Sequence, residues 1–339
     1  MSAPGDSETL AALKRRIWLS AGGLIVAAGV LAAVLVVRGS GSGSSQRIVF
    51  QAKVHGLYQL FTIAPDGAGL NQITHLDVKR SSVPGVEGPR WSPDGKLILF
   101  DSDYGRTPGH VISVFTIRPD GSGLKRLPLV TGLFNGAPAW SPDGKQIAYT
   151  FDASNIPVHQ QGIEIAQSDG SFPYALTRAA YAYILDGGAD WSPTGAWIAF
   201  VESFSATESQ IMKVRDVGGV PIALTPRELN ANNPRWSPDG TRILFNSHNP
   251  PRPGQDANLY TMDAHGKNVV QLTHYEGGRL DAFANGWSPD GEHIVYHLRG
   301  SLPNGSPVDQ LFVMDANGEN RRQLTHLGKG TSPSHGDWH

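Results

Sequence analysis

The sequence predicts an all-β protein, a six-bladed β-propeller closed by pairing of its two terminal strands and preceded by one transmembrane helix. Three observations carry this reading. The pentapeptide Trp-Ser-Pro-Asp-Gly occurs at residues 91–95, 140–144, 236–240 and 287–291, with Trp191-Ser192-Pro193-Thr194-Gly195 as a fifth copy and Trp338 as a sixth tryptophan. The steps between these tryptophans are 49, 51, 45, 51 and 51 residues, so one structural unit is repeated. Ahead of the repeats, Ile17 to Val37 runs 21 residues without a charge.

Each repeat yields the same elements in the same order. Ser-Pro-Asp-Gly is a tight turn: Pro presets φ, Ser and Asp bond the local backbone, and Gly accepts positive φ at the exit. A β-branched and aromatic run follows, as in Leu97-Ile98-Leu99-Phe100 or Ile294-Val295-Tyr296, and reads as a strand. After a variable loop comes a second such run, for example Leu259-Tyr260-Thr261-Met262, ending in a glycine turn such as Asp66-Gly67, Asp120-Gly121 or Asn317-Gly318. A short last strand closes at Ile73-Thr74, Leu176-Thr177, Leu224-Thr225, Leu272-Thr273 or Leu324-Thr325. With the tryptophan strand this makes four strands per repeat, a propeller blade.

The blades are expected to form a ring and not an open stack. Residues 47–74 supply the last three strands of a unit without its tryptophan strand, and Gly336-Asp337-Trp338 supplies only that strand. Pairing the two completes a sixth blade and leaves no open sheet edge at the seam.

Residues 1–16 read as a short polar cytoplasmic tail ending in Lys14-Arg15-Arg16. Residues 17–37, as a helix about 31 Å long, suffice to cross a bilayer. The preceding positive cluster places the N-terminus in the cytoplasm and the propeller outside it, in the periplasm or at the cell surface. A cleaved signal peptide is the alternative, but the apolar run is long for a signal core and has no clear small-x-small cleavage site. Residues 38–46, rich in Gly and Ser, form a flexible linker, and residues 47–339 are the propeller.

Composition narrows the function classes. Lys and Arg total 28 against 30 Asp and Glu, so no nucleic-acid partner is indicated, and a monomer is expected. The chain has no cysteine, which excludes disulfides, thiolate metal sites, a cysteine nucleophile and a lipidated cysteine after the apolar run. No Gly-x-Ser-x-Gly elbow is present.

The run Pro138-Ala139-Trp140-Ser141-Pro142-Asp143-Gly144-Lys145-Gln146-Ile147-Ala148-Tyr149, with Met314-Asp315-Ala316-Asn317-Gly318-Glu319-Asn320 and Gln323-Leu324-Thr325, resembles the TolB-like propeller repeat. The resemblance covers about residues 47–339. It implies the propeller fold but no particular function, because similar repeats occur in propeller domains of prolyl oligopeptidase-like peptidases and some polysaccharide lyases. TolB-like proteins carry an α/β domain before the propeller, where this chain has the apolar run and linker.

Short repeated turns are scaffold, whereas variable loops on a rigid ring carry recognition. The ligand surface is therefore expected on the loop face, at the channel mouth. The residues before the six tryptophans are Arg90, Ala139, Asp190, Arg235, Gly286 and Asp337. Ring order sets Asp190 beside Arg235 and Asp337 beside Arg90, either as a charged lining for a polar ligand or as two inter-blade ion pairs. His75, His248, His274, His297, His326 and His335 are expected on the same face, with His248, His297 and His335 as ligand candidates alongside the four charged residues. No His-x-His or His-Glu-x-x-His spacing marks a metal site, and no cofactor is indicated. The exposed aromatics Phe134, Tyr181, Tyr183, Tyr275 and Phe283 are further candidates. The reading is a membrane-anchored, non-catalytic scaffold for a protein, peptide or glycan; the alternative is a metal-assisted polysaccharide lyase or hydrolase working at the channel mouth.

Overall fold

A computed structural model describes residues 46–77, 85–105, 112–129, 134–152, 161–178, 188–205, 207–248, 256–302 and 304–339. The expected tail, membrane helix and most of the linker lie outside these residues. Among the described residues, no helix is long and apolar enough to cross a membrane.

Six four-stranded antiparallel sheets follow one another along the chain. Blade I joins Ser334–Trp338 to Ile48–Val54, Leu57–Ile63 and Asn71–Gln72. Blade II comprises Val86–Trp91, Ile98–Ser102, Ser113–Ile117 and Lys125–Arg126, and blade III Phe134–Trp140, Gln146–Asp152, Gln161–Gln167 and Tyr174–Ala175. Blade IV has Asp190–Trp191, Trp197–Ser205, Glu208–Arg215 and Ile222–Ala223. Blade V has Ala231–Trp236, Arg242–Ser247, Asn258–Asp263 and Val270–Gln271, and blade VI Leu280–Trp287, His293–Ser301, Pro307–Asp315 and Arg322–Gln323. The seam forms as the sequence predicts: Trp338 pairs with Ile48 and Asp337 with Val49, though the closing strand starts two residues earlier than expected, at Ser334.

The core is a set of inter-blade layers. One buried cluster joins Ile163 and Ile165 of blade III to Trp191, Ile198 and Phe200 of blade IV. Equivalent clusters join IV to V, V to VI, VI to I, I to II and II to III, which closes the ring. Each repeated tryptophan sits against the preceding blade, which explains its invariant register: an indole buries roughly 200 Å², the largest apolar contribution one residue can make to such a layer.

The turns repeat atom for atom. Ser92 Oγ donates to Asp94 Oδ1 at 2.8 Å and accepts the Leu97 N–H at 2.9 Å, and Ser141, Ser237 and Ser288 do the same in their blades. In blade IV the Thr194 hydroxyl takes the place of the carboxylate, 3.2 Å from Ser192 Oγ. The Leu-Thr ends form a second repeated device: Oγ1 of Thr74, Thr177, Thr225, Thr273 and Thr325 accepts a backbone N–H from the strand beside it at 2.8–3.0 Å. Blade II has Leu127-Pro128 at this point and lacks the hydroxyl. Ser-Pro-Asp-Gly turns and glycine turns share one face of each blade, here the turn face; the irregular connections share the other, the loop face.

Candidate functional site

Each tryptophan strand bends as it enters the channel. Three residues before tryptophan, Gly88, Ala137, Gly188, Asn233 and His335 adopt positive φ, between 36° and 56°. Pairing slips there, between Glu87 and Arg90, Gly136 and Ala139, and Asn232 and Arg235. This β-bulge re-aims the strand at the channel wall. A polar side chain of the preceding blade accepts the freed N–H: Gln51 from Gly88 at 3.0 Å and Asp101 from Ala137 at 2.6 Å.

Below the bulges, the residues preceding tryptophan form a charged collar at the channel waist. Arg90 and Arg235 border two cavities, one of about 500 Å³ on the turn face and one of about 990 Å³ on the loop face. Asp190 and Asp337 line the turn-face cavity. The collar therefore sits deeper than the mouth where the sequence places it.

Its pairing also differs from the ring-neighbour expectation. Asp337 does meet Arg90, at 3.3 Å, but Arg90 reaches Asp190 as well, two blades away, at 3.4 Å. Arg235 makes no ion pair with Asp190; its Nε donates to the Asn285 carbonyl and its Nη1 to the Pro234 carbonyl, both at 2.8 Å. Arg90 is long enough to span the waist and engage both carboxylates, so Arg235 takes main-chain oxygens. Each aspartate also fastens the next blade: Asp337 Oδ2 accepts the Trp91 N–H and Asp190 Oδ2 the Trp236 N–H, both at 2.7 Å. Burial pushes the Asp190 carboxyl above its ordinary value against the pull of Arg90 and Arg235. Burial, with Arg90 close by, lowers Arg235 to about 9.

Of the six histidines, His248, His297 and His335 line the loop-face cavity, while His75, His274 and His326 are exposed and outside its lining. His297 Nε2 lies 2.7 Å from Asp309 Oδ1, and His248 Nε2 3.4 Å from Asp281. Burial opposes ionisation of Asp309, but hydrogen bonds from His297 and Ser332 outweigh it and hold the carboxyl below its ordinary value. His335 is exposed at its surface yet enclosed by the channel walls; that enclosure first, then His297, Arg235 and Arg90, push its imidazole below its ordinary value. His248 and His297 are thus each held by an aspartate of their own. Among the described residues, the group whose ligating atoms gather within 4.8 Å is Asp290, Glu292 and His293, on a blade VI turn away from this cavity.

The rest of the lining combines cations with aromatic faces. Arg299 stacks 5.2 Å from the Phe283 ring, which stacks at 5.5 Å on His297, and Lys53 lies 5.0 Å from the Tyr58 ring. Asn230, Asn232 and Asn246 add amide groups to the wall. Tyr275 instead packs into the V–VI core, with its hydroxyl 3.5 Å from that of Tyr296. Tyr181 and Tyr183 lie outside the described residues, as does the Phe134 side chain. Arg299, Lys53 and Tyr58 escape sequence reasoning because nothing at their positions repeats from blade to blade. The bulge does carry a signal: a small, amide or imidazole side chain stands three residues before each of the six tryptophans, and at all of these but Ala284 the backbone takes positive φ.

Comparison with known proteins agrees with this architecture. The family described as PD40, TolB beta propeller domain, matches residues 151–337. The uncharacterized protein Atu1656 of Agrobacterium fabrum is 32% identical over 125 residues, 35% of this chain and 42% of that protein. The uncharacterized peptidase YuxL of Bacillus subtilis is 33% identical over 126 residues, 35% of this chain and 18% of that protein. The match thus spans less than half the length of either relative. The crystal structure of TolB from Acinetobacter baumannii superposes with a TM-score of 0.66 at 22% identity, covering 87% of this chain and 66% of that one, a likeness of fold alone. With more than half its length matched by the family, the chain is a member of the TolB β-propeller domain family.

Proposed function

We propose that the protein is a membrane-anchored, extracytoplasmic propeller that binds a protein or peptide through its loop face without catalysing a reaction on it. One observation carries this: the loop-face cavity of about 990 Å³ joins stacked cation–aromatic pairs to side-chain amides on strand ends of a rigid ring. Planar aromatic faces give contact area at low entropic cost, and amides match the donors and acceptors of a peptide backbone. The collar lies between the two cavities, so a ligand entering from the loop face meets Arg90 and Arg235 at the waist. The anchor is Ile17 to Val37, with Arg38 to Gln46 as tether.

Selection of a random peptide library on the full chain in lipid nanodiscs tests this. Selected peptides should lose at least tenfold in affinity against Phe283→Ser or Arg299→Glu and keep it against the turn-face variant Lys96→Glu. Peptides that ignore both loop-face changes, or turnover of a glycan by the purified chain, would reject the scaffold reading.

A further inference from the structure

The rim of the turn face turns apolar over three consecutive blades. Phe172 is 81% exposed in blade III, Val217 and Val220 are 79% and 89% exposed in blade IV, and Val269 and Val270 are half exposed in blade V. Tyr174 and Ile222 flank them, also exposed. Scattered surface apolar residues need no explanation, but a run of them on adjacent turns does.

Phe172 adds an independent sign. It has φ of 51°, and the residues at the matching turn position in four other blades are Gly69, Gly123, Asn268 and Asn320, with φ between 49° and 69°; in blade IV the position is Val220, whose φ is not positive. Glycine and asparagine accept this region readily, and a bulky aromatic does not. The fold bears a strained backbone to hold a ring that is then left in solvent, so the strain gains nothing inside the domain.

The route of the chain says what covers the rim. Gln46 lines the turn-face cavity, and Arg47 exchanges two backbone hydrogen bonds with His339 at 2.6 and 2.9 Å, so the polypeptide leaves the propeller on this face. Nine residues, Arg38 to Gln46, link that point to the 21-residue apolar run. Such a Gly/Ser-rich tether spans roughly 15–18 Å as a coil and about 30 Å fully extended. The turns carrying the patch bring Arg215 and Lys267 against Asp169, Asp216 and Asp263, so the attraction is apolar and not a charge match to acidic lipid.

We propose that this rim is a lipid-docking surface: Phe172, Val217 and Val220 enter the interfacial layer of the bilayer that holds the apolar run, leaving the loop face outward. The proposal rests on the membrane-anchored reading above. Amphipathic surfaces reinforce a membrane anchor in this way by burying side-chain area at the headgroup boundary.

The chain has no cysteine, so single-cysteine variants report cleanly. Full-length Val220→Cys and Asn304→Cys, the second on an exposed loop-face turn, are labelled with an environment-sensitive dye and reconstituted into phosphatidylcholine vesicles. Both must co-float with the vesicles; failure to float refutes the anchoring and the docking with it. Quenching by brominated phosphatidylcholine should be at least threefold stronger at position 220 than at 304. Co-flotation with equal quenching overturns the docking while leaving the anchor standing, and concentration-dependent shielding in detergent would make the rim a self-association surface instead. In a Val220→Cys background, Phe172→Gly should halve the quenching while leaving Tm unchanged or higher. A fall in Tm would give Phe172 a role inside the fold and overturn its part in docking.

Discussion

Asp337 is two residues from the end of the chain, yet its carboxylate ties the seam to blade II. Oδ2 accepts the Trp91 N–H at 2.7 Å and Oδ1 meets Arg90 at 3.3 Å, with the side chain 19% exposed. Replacing it with alanine leaves the Trp91 N–H without an acceptor, a loss of about 1–3 kcal/mol. It also removes one partner of a mostly buried arginine, for which about 3–5 kcal/mol is usual. That second figure must be discounted heavily, because Arg90 retains Asp190 at 3.4 Å. A total of about 2–4 kcal/mol follows. At about 2.1 cal/mol/K of unfolding entropy per residue, a propeller of this length shifts by about 1.6 °C per kcal/mol, so Tm should fall by roughly 3–7 °C. Asp337→Asn keeps an oxygen for the Trp91 N–H and should cost about half as much. The assay is urea and thermal unfolding of Asp337→Ala, Arg90→Met and the double variant, with amide exchange at Ile48 and Trp338 reporting on the seam. Lys96→Ala is the control, since its pair with Asp94 is exposed and screened by solvent. If Asp337→Ala behaves like that control, or if the Asp337–Arg90 coupling in the cycle is below about 0.3 kcal/mol, the fastener argument is wrong.

Three further outcomes are expected. Thr273 is fully buried and its Oγ1 accepts the Leu259 N–H while donating to Asn258, so Thr273→Val should cost about 1–3 kcal/mol in denaturant titration. A Cβ at Gly162 would lie 2.2 Å from the Thr177 carbonyl oxygen, so Gly162→Ala should destabilise by at least about 2 kcal/mol; a neutral effect would show that the outer strand moves freely. The Asp239 carboxyl is held below its ordinary value, first by the Ser237 hydroxyl and then by the Thr241 N–H. A depressed carboxyl stabilises the fold above its unfolded pKa and loses that contribution as pH falls through the folded value. Ser237→Ala should therefore raise the Asp239 pKa toward about 3.9 in an NMR titration and start acid unfolding at a higher pH; an unmoved titration would contradict the turn chemistry.

The architecture was legible because every blade repeats the same local chemistry. A Ser-Pro-Asp-Gly turn bonds its own backbone within five residues, and the following strand alternates faces by its own periodicity, so both can be read without knowing the rest of the molecule. Even the seam was legible, since the missing strand of the first repeat and the surplus strand of the last are the same strand. Trp191 and Asp190 were placed correctly despite the Thr194 substitution, because a threonine hydroxyl can hold the same turn.

The site was legible only as a shortlist. Arg90, Asp190, Arg235 and Asp337 do meet, because a fixed offset from a repeated tryptophan places them at one height on the channel wall. Their pairing was legible only in part: ring order predicts Asp337 beside Arg90, which forms, but in place of an Asp190–Arg235 pair the reach of Arg90 across a narrow channel joins blades II and IV. The histidines divide for the same reason. His248, His297 and His335 come from three blades and face one cavity, but His248 and His297 are each paired with an aspartate that no sequence spacing reveals.

What the sequence determined by itself is everything decided over short range: turn, strand, blade, the number of blades, and how the ring closes. Only the tertiary structure decided which charges touch across the channel, which loop side chains share the cavity wall, and which apolar turns form one rim. Those depend on distances between blades far apart in the chain, and such distances are set by the curvature of the whole ring and by no local pattern of residues.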